Sequence, residues 1–280
     1  MSAMLHAGPA PSNFSDFTDL EVLFTGRRSR IYRARRRRDG QRVVLKVLPD
    51  DYPSPSETAR LAREHAITAS VDVPHVIGCY ELVEIAESQA MVLEDIGAAS
   101  LAHVLAEGAL TLPEALEVGR KIAVALAGIH DRHVVHKDIN PSNVLYRRET
   151  GEVRVIDFGI ALTLDRERPA SPHVGSLEGT LAYMSPEQTG RTNRVLDRRS
   201  DLYSLGVTLY ECLTGRRPFH SEDPLELLHM QLALAPTPPH RVDPAIPEVV
   251  SQLVMKLLHK DAEDRYQTAR RGARPRPLPR

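Results

Sequence analysis

Cysteine is scarce in this chain: Cys79 and Cys212 are the two among 280 residues, and both sit in apolar surroundings without the spacing of a metal site. That argues against a disulfide framework and points to a reducing, cytoplasmic setting. Net charge is scarce too. Lys and Arg number 36 against 37 Asp and Glu, a formal -1, so the overall balance directs the chain to neither nucleic acid nor an anionic membrane. No apolar run approaches the roughly 20 residues of a membrane span. The N-terminus lacks the basic-then-apolar pattern of a secretory leader, and no internal repeat is visible. What remains is a chain with 42% hydrophobic residues, long enough for one large or two modest domains with a sizeable core.

The densest chemistry lies at residues 136–143, reading HKDINPSN. A helix-like segment precedes it and the apolar pair Val144 and Leu145 follows. It is therefore a short loop carrying Asp138 and, five residues on, Asn143. Fourteen residues after Asn143 come Asp157, Phe158 and Gly159, preceded by the apolar run VRVI. Two Asp and one Asn delivered by loop ends are what a nucleotide–magnesium site needs. The carboxylate of Asp157 and the amide oxygen of Asn143 are hard oxygen ligands. Asp138 is left to accept a proton from a hydroxyl nucleophile, or to orient it.

With Lys46 upstream in a strand-like run and Pro186-Glu187 downstream, these motifs follow the order and spacing of the protein kinase signature. The chain resembles the eukaryotic-type serine/threonine protein kinases from about residue 20 to about residue 266. It is most similar to the N-terminal kinase module of large bacterial multidomain signalling kinases. The strings HKDINPSN, GTLAYMSPEQTGRTNR and DRRSDLYSLGVTLYECLTG carry that likeness. The resemblance implies an α+β, two-lobed fold, with a kinase domain over 20–269, preceded by a flexible lead-in over residues 1–19 that either stays irregular or ends in one extra short strand. Within it, a small antiparallel sheet lobe with one helix covers 20–94, a hinge 94–97 and a mainly helical lobe 98–269. Residues 270–280, rich in Pro and Arg, read as a tail that cannot form a stable helix, so the family's last helix is expected to be missing.

Strand-like runs at 20–24, 29–34 and 42–48, with Asp39-Gly40 as a hairpin turn, make an antiparallel meander. Residues 76–82 and 90–94 complete the sheet. The resemblance places Lys46 on the α- and β-phosphates of ATP, paired to Glu64 in a helix over 56–70. Glu57, in the first turn, suits the helix N-terminus better. The family's three loop glycines fall at Phe24, Gly26 and Ser29, so Gly26 alone keeps the close backbone approach to phosphate. Glu94, Asp95 and Ile96 would form the hinge against the adenine edge, with Leu93 as gatekeeper. Ile31 and Val44 would cover one face of the base and Leu145 the other. Val44 stands where the family more often has alanine. Arg33 and the arginines at 35–38 are the densest charge. A nucleic-acid patch and a solvated turn both suit them, and the hairpin position favours the turn.

Thr111 and Glu114 form a capping box for an amphipathic helix over 113–131, whose apolar face holds Leu116, Ile122, Ala123, Leu126 and Ile129. His130, His133 and His136 suggest a metal site at first sight, but two straddle a helix end and no acidic or cysteine partner recurs nearby. Lys137 replaces the family's arginine and brings charge without a bidentate fork. Asn140 stands where most of these kinases have lysine. It can donate a hydrogen bond to the γ-phosphate but adds no charge, which implies slower chemistry. Residues 160–187 read as the activation segment. Ser171 and Ser176 are candidate phosphosites or plain solvent-facing serines, and Thr180 sits where the family favours serine/threonine acceptors. Asp201, opening a strongly apolar helix, would hold the catalytic loop or serve as a simple cap. Glu187 and Arg265 would form the family's buried ion pair.

The implied function is transfer of the ATP γ-phosphoryl group to a serine or threonine of a protein substrate, in cytoplasmic signal transduction. Asp138, Lys46 and Asn140 would do the chemistry. Gly26, Ile31, Val44, Lys46, Glu64, Glu94, Ile96 and Leu145 would surround ATP, and Asn143 and Asp157 would hold Mg2+. The rival is a pseudokinase, a nucleotide- or protein-binding module, motivated by the single glycine, Asn140 and the tail. A kinase acting on small molecules is a third reading, opposed by residues 179–187, which in the family serve protein acceptors. A downstream ATPase or sensor module is the expected partner if the chain is a fragment.

Overall fold

The computed structural model describes residues 14–26, 29–49, 53–85, 88–164, 181–191 and 196–272. The chain separates into two compact units, one running through Asp72 and resuming over Ile77–Gly97, the other comprising Val73–Val76 and the chain from Ala98 onward.

The first unit is an antiparallel sheet with one helix. Its elements are β1 (Phe17–Thr25), β2 (Arg30–Arg36), β3 (Arg42–Val47), α1 (Pro55–Ser70), β4 (Cys79–Ile85) and β5 (Ser88–Glu94), with strand order β1-β2-β3-β5-β4. Period-two alternation decides its faces. Tyr32, Ala34, Val43, Leu45 and Val47 turn inward and meet Phe14, Phe17, Ile85, Ala90 and Val92. Their neighbours Ile31, Arg33, Val44 and Lys46 share the opposite face, in a register that sets Ile31 across from Lys46 and Arg33 across from Val44. Helix α1 starts as its sequence dictates: Ser54 and Glu57 close a capping box and Pro55 occupies the first turn. The helix buries Leu61, Glu64, Ile67 and Thr68.

In the second unit, β6 (Ala99–Ser100), β8 (Val144–Arg147) and β9 (Glu152–Val155) form one sheet, and β7 (Val134–Val135) pairs with β10 (Leu162–Thr163). Helices α2 (Leu101–Glu107) and α3 (Leu112–Asp131) precede β7. Helices α4 (Arg199–Thr214), α5 (Pro224–Ala233), α6 (Pro239–Val242), α7 (Glu248–Leu257) and α8 (Ala269–Gly272) follow β10. The Thr111–Glu114 capping box opens α3. Helix α4 is buried on nearly every side, as an apolar helix of its composition must be.

Several expectations need correction. The flexible lead-in cannot extend to residue 19, because Phe14 and Phe17 are core residues and β1 starts at Phe17. Val76 does not belong to the small sheet; it bridges Val155 in the second unit. The arginine run is no simple solvated turn: Arg36 ends β2 buried, bonded to Asp39 and Glu81 and lying over the Tyr80 ring. Leu116 is exposed rather than core, since the inward face of α3 is built from Ala115, Val118, Ile122, Ala125, Leu126 and Ile129. The expected helix-free tail begins with a helical turn, α8, where Ala269 is buried and Arg270 pairs with Asp131; residues 273–280 lie outside the described residues.

Gly206, inside α4, is where α7 comes closest: a Cβ there would stand 2.7 Å from the Leu257 Cβ. Replacing it by alanine forces α4 and α7 apart. Gly206→Ala is expected to cost about 1–3 kcal/mol, the usual penalty of overpacking, read as a lower denaturant midpoint. A midpoint at or above wild type would show that the two helices do not depend on this contact.

Candidate active site

In the first unit, Lys46 projects from near the end of β3, and its Nζ lies 2.5 Å from Glu64 Oε1 on α1. Both side chains are largely buried, so the pair sits in a low dielectric where the charges fix one another's direction. Ile31 and Val44 flank Lys46 on the same sheet face. Gly26 lies in the β1–β2 turn; its N–H donates to the Ser29 carbonyl at 2.9 Å, and the Phe24 ring covers it. At the end of β5, Glu94 accepts from the Gly78 N–H at 3.1 Å, and Ile96 beyond it is buried.

In the second unit, Asp138, Asn140 and Asn143 come together. Asn140 Nδ2 donates to Asp138 Oδ1 at 2.8 Å and to the Asp138 carbonyl at 3.1 Å. Asn143 Nδ2 donates to Asp138 Oδ2 at 2.9 Å and to the same carbonyl at 2.9 Å. Each carboxylate oxygen thus carries one amide donor. The 2.9 Å bond from the Ser142 N–H to Asn140 Oδ1 completes the turn. Both amide hydrogens of Asn140 are therefore directed at Asp138. Asp157 follows β9 with φ 67°, a left-handed backbone that non-glycine residues rarely adopt, and its side chain is exposed. Leu145 lies half-buried in β8, paired with Ser100 and Arg154.

The loop is held from beneath by Asp201, fully buried at the start of α4. Its carboxylate accepts the His136 N–H at 2.9 Å, the Lys137 N–H at 2.8 Å and a contact from His130 Nε2 at 2.8 Å. Burial would push the Asp201 carboxyl up, but the bonds from His130 and the loop outweigh it and hold it below its usual value. Lys137 has φ 70°. Its carbonyl accepts from Gln188 Nε2 at 2.8 Å, so both sides of this strained residue are pinned. The Asp138 N–H donates to His136 Nδ1 at 3.2 Å, which leaves Nε2 to donate to the Ile156 carbonyl at 3.1 Å. The His136 ring rests on Phe158, 4.7 Å between centroids.

Burial raises the Asp138 carboxyl above the usual carboxylate range. The Asp157 charge adds to this, while His136 and the two asparagine amides oppose it. A carboxylate raised in this way is a better proton acceptor near neutrality. One carboxylate held on both oxygens, one exposed carboxylate and one asparagine side chain are the polar groups this loop region offers.

The second unit carries a buried ion pair of its own. Arg265 grips Glu187 with both terminal nitrogens at 2.6 and 2.9 Å, Ser200 donates to Glu187 Oε1 at 2.8 Å, and the guanidinium lies over the Tyr203 ring. Burial acts to raise the Glu187 carboxyl, but Arg265 more than offsets it and the result is below the usual range. Sequence reasoning missed Gln188 and His130. A glutamine after Pro-Glu and a histidine ending a helix carry no signal of their own until the loop they support is in place. The candidate phosphosites Ser171 and Ser176, and Thr180, lie outside the described residues.

The protein kinase domain family matches residues 17–273, somewhat wider than the resemblance drawn from motifs. The chain is 34% identical over 253 residues to a probable serine/threonine-protein kinase of Clostridium perfringens, covering 90% of this chain and 36% of that protein. It is 35% identical to the serine/threonine-protein kinase pkn2 of Myxococcus xanthus, covering 90% and 31% of the two chains. It is 33% identical to the serine/threonine-protein kinase PrkC of Bacillus subtilis, covering 89% and 38%. The chain thus spans about a third of the length of these relatives.

Breaking one side of the Glu187–Arg265 pair leaves a buried charge alone. Arg265→Ala is expected to lose about 3–5 kcal/mol of stability, measured by chemical denaturation at neutral pH. Because the folded Glu187 value is depressed, its contribution is present above the ordinary glutamate value of about 4.3. It is lost as pH falls through the folded value. The gap between wild type and variant should therefore narrow in acid, and a gap that widened there would contradict the assignment.

Proposed function

The chain belongs to the protein kinase domain family, and on that premise we propose that it transfers the γ-phosphoryl group of ATP to a serine or threonine hydroxyl of a protein substrate. The observation that carries this reading is the Asp138 carboxylate, gripped on one oxygen by Asn140 and on the other by Asn143 within a loop bonded to buried Asp201. Asp138 accepts the hydroxyl proton as the acceptor oxygen attacks the γ-phosphorus. The new P–O bond forms, the β–γ bridging bond breaks, and ADP leaves with the electron pair. Asn140 positions the base, its amide committed to Asp138. Lys46, fixed by Glu64, holds the α- and β-phosphates. In the first unit, Ile31 and Val44 are assigned to the base, the backbone at Glu94 and Ile96 to its edge and Gly26 to the phosphates; in the second unit, Leu145 is the residue assigned to the base.

Magnesium suits the donor set. Asp157 offers an exposed carboxylate, and Asn143, with its amide nitrogen spent on Asp138, presents its oxygen. Two such oxygens plus substrate phosphates are how Mg2+ is commonly bound, and the ion neutralises charge on the phosphates.

The same reading places the protein in the cytoplasm as a signalling enzyme. Cys79 and Cys212 are free thiols; burial pushes Cys79 up to about 11 and Cys212 also above its usual value, which keeps both unreactive. No helix of the described residues is long and apolar enough to cross a membrane. A downstream module of ATPase or sensor type, acting with this one if the chain is a fragment, is part of the proposal; the relatives are about three times as long as the part this chain spans.

Purified protein with Mg2+, labelled ATP and a generic protein acceptor should transfer label to serine and threonine. Transfer should vanish in Asp138→Ala while ATP–Mg2+ still raises the melting temperature. The acid limb of the kcat/KM profile should lie above the ordinary aspartate value of about 3.9, because Asp138 must be unprotonated to act. Asn140→Lys should shift that limb to lower pH, since a cation beside a carboxylate favours its charged form. Stabilisation by ATP–Mg2+ without any transfer would instead identify a pseudokinase.

A further inference from the structure

The segment after β5 carries an ionic device that the catalytic reading leaves unused. Asp95 has a side chain only 3% exposed. One carboxylate oxygen accepts the Gly97 N–H at 2.8 Å and closes a tight local turn. The other receives Arg33 Nε at 2.9 Å from β2 and Arg42 Nη2 at 3.2 Å from β3. Arg33 also reaches Glu21 on β1 at 3.1 Å.

The register explains why these groups meet. Val43 pairs with Glu94 and Val44 with Leu93, so Asp95 continues the row beside Arg42. Arg33 and Arg42 share the sheet face that carries Ile31, Val44 and Lys46. The triad therefore stands at the end of the face to which the nucleotide is assigned, about four residues along β3 from Lys46 (~3.3 Å rise per residue). On the other side, the Glu94 N–H donates to the Gly78 carbonyl at 2.8 Å, and Glu94 Oε2 accepts the Gly78 N–H. Residues 95–98 have no regular secondary structure, so these anchors are what fix their backbone.

We propose that Asp95 is a positioning residue for purine recognition: clamped by Arg33 and Arg42, it sets the backbone of Glu94–Gly97 against the base edge. This rests on the ATP-binding reading above. A carboxylate removed from water must keep its partners, so the segment has one preferred geometry rather than several. Pre-organisation of this kind lowers the cost of ordering a loop on binding, and it acts on the base end of the ligand rather than on phosphoryl transfer.

Steady-state kinetics on the full chain separate this from a merely structural role. In Asp95→Ala, and independently in the double variant Arg33→Gln/Arg42→Gln, KM for ATP should rise by about tenfold. KM for the protein acceptor should not move, and the preference for ATP over GTP should narrow. Asp95→Asn, which can keep the Gly97 turn but loses the charge, should fall between. The double variant leaves the segment itself untouched, so it answers the question even if Asp95→Ala folds poorly. Folded variants with a lower melting temperature but unchanged KM for ATP and unchanged purine preference would overturn the proposal alone. A wild type that neither binds nor uses ATP would overturn the nucleotide reading and this assignment with it.

Discussion

One carboxylate with no access to water organises the catalytic loop. Asp201 accepts two consecutive backbone N–H groups, from His136 and Lys137, and a side-chain contact from His130. A carboxylate is acceptor-only, so it suits a place where donors converge and where burial makes an unpaired group expensive. The left-handed Lys137 backbone, costing about 1–3 kcal/mol in isolation, is sustained because its N–H is held by Asp201 and its carbonyl by Gln188. From that fixed point the chain runs directly into Asp138, whose two oxygens are then taken by Asn140 and Asn143. The placement of Asp138 is thus set by a residue 63 positions later in the chain, at the head of the most buried helix.

That arrangement changes the meaning of two substitutions. Lys137 lacks the fork of the arginine it replaces, yet the loop geometry depends on its backbone. Asn140 lacks the charge of the lysine it replaces, but its amide holds the Asp138 carboxylate and carbonyl. What is lost is a positive charge; what is kept is a fixed orientation of Asp138.

Much of this was legible because it is local or periodic. The capping boxes at Ser54–Glu57 and Thr111–Glu114, the alternation along β2 and β3 and the helix around Glu64 follow from residues a few positions apart. The Lys46–Glu64 and Glu187–Arg265 partners were legible only through motif order, since nothing local joins them. What could not be read was decided by tertiary contact. Phe14 and Phe17 become core because they join the inward residues of β2, β3 and β5. Arg36 is buried because Glu81 arrives from another strand. Gln188 and Asp95 gain their roles from backbone and guanidinium groups far away in sequence. Leu116 looked apolar-faced by spacing, yet it falls at the rim of the α3 stripe.

The most direct test of this account is single-turnover phosphoryl transfer by Asp201→Asn. The amide keeps the size of the side chain but sets an NH2 against a backbone N–H that needs an acceptor. Hydrogen bonds to a charged group are each worth about 1.5–3 kcal/mol, so transfer should slow by about ten- to a hundredfold with ADP–Mg2+ affinity retained. Transfer at the wild-type rate in a folded Asp201→Asn protein would contradict the claim that this buried carboxylate sets the catalytic loop.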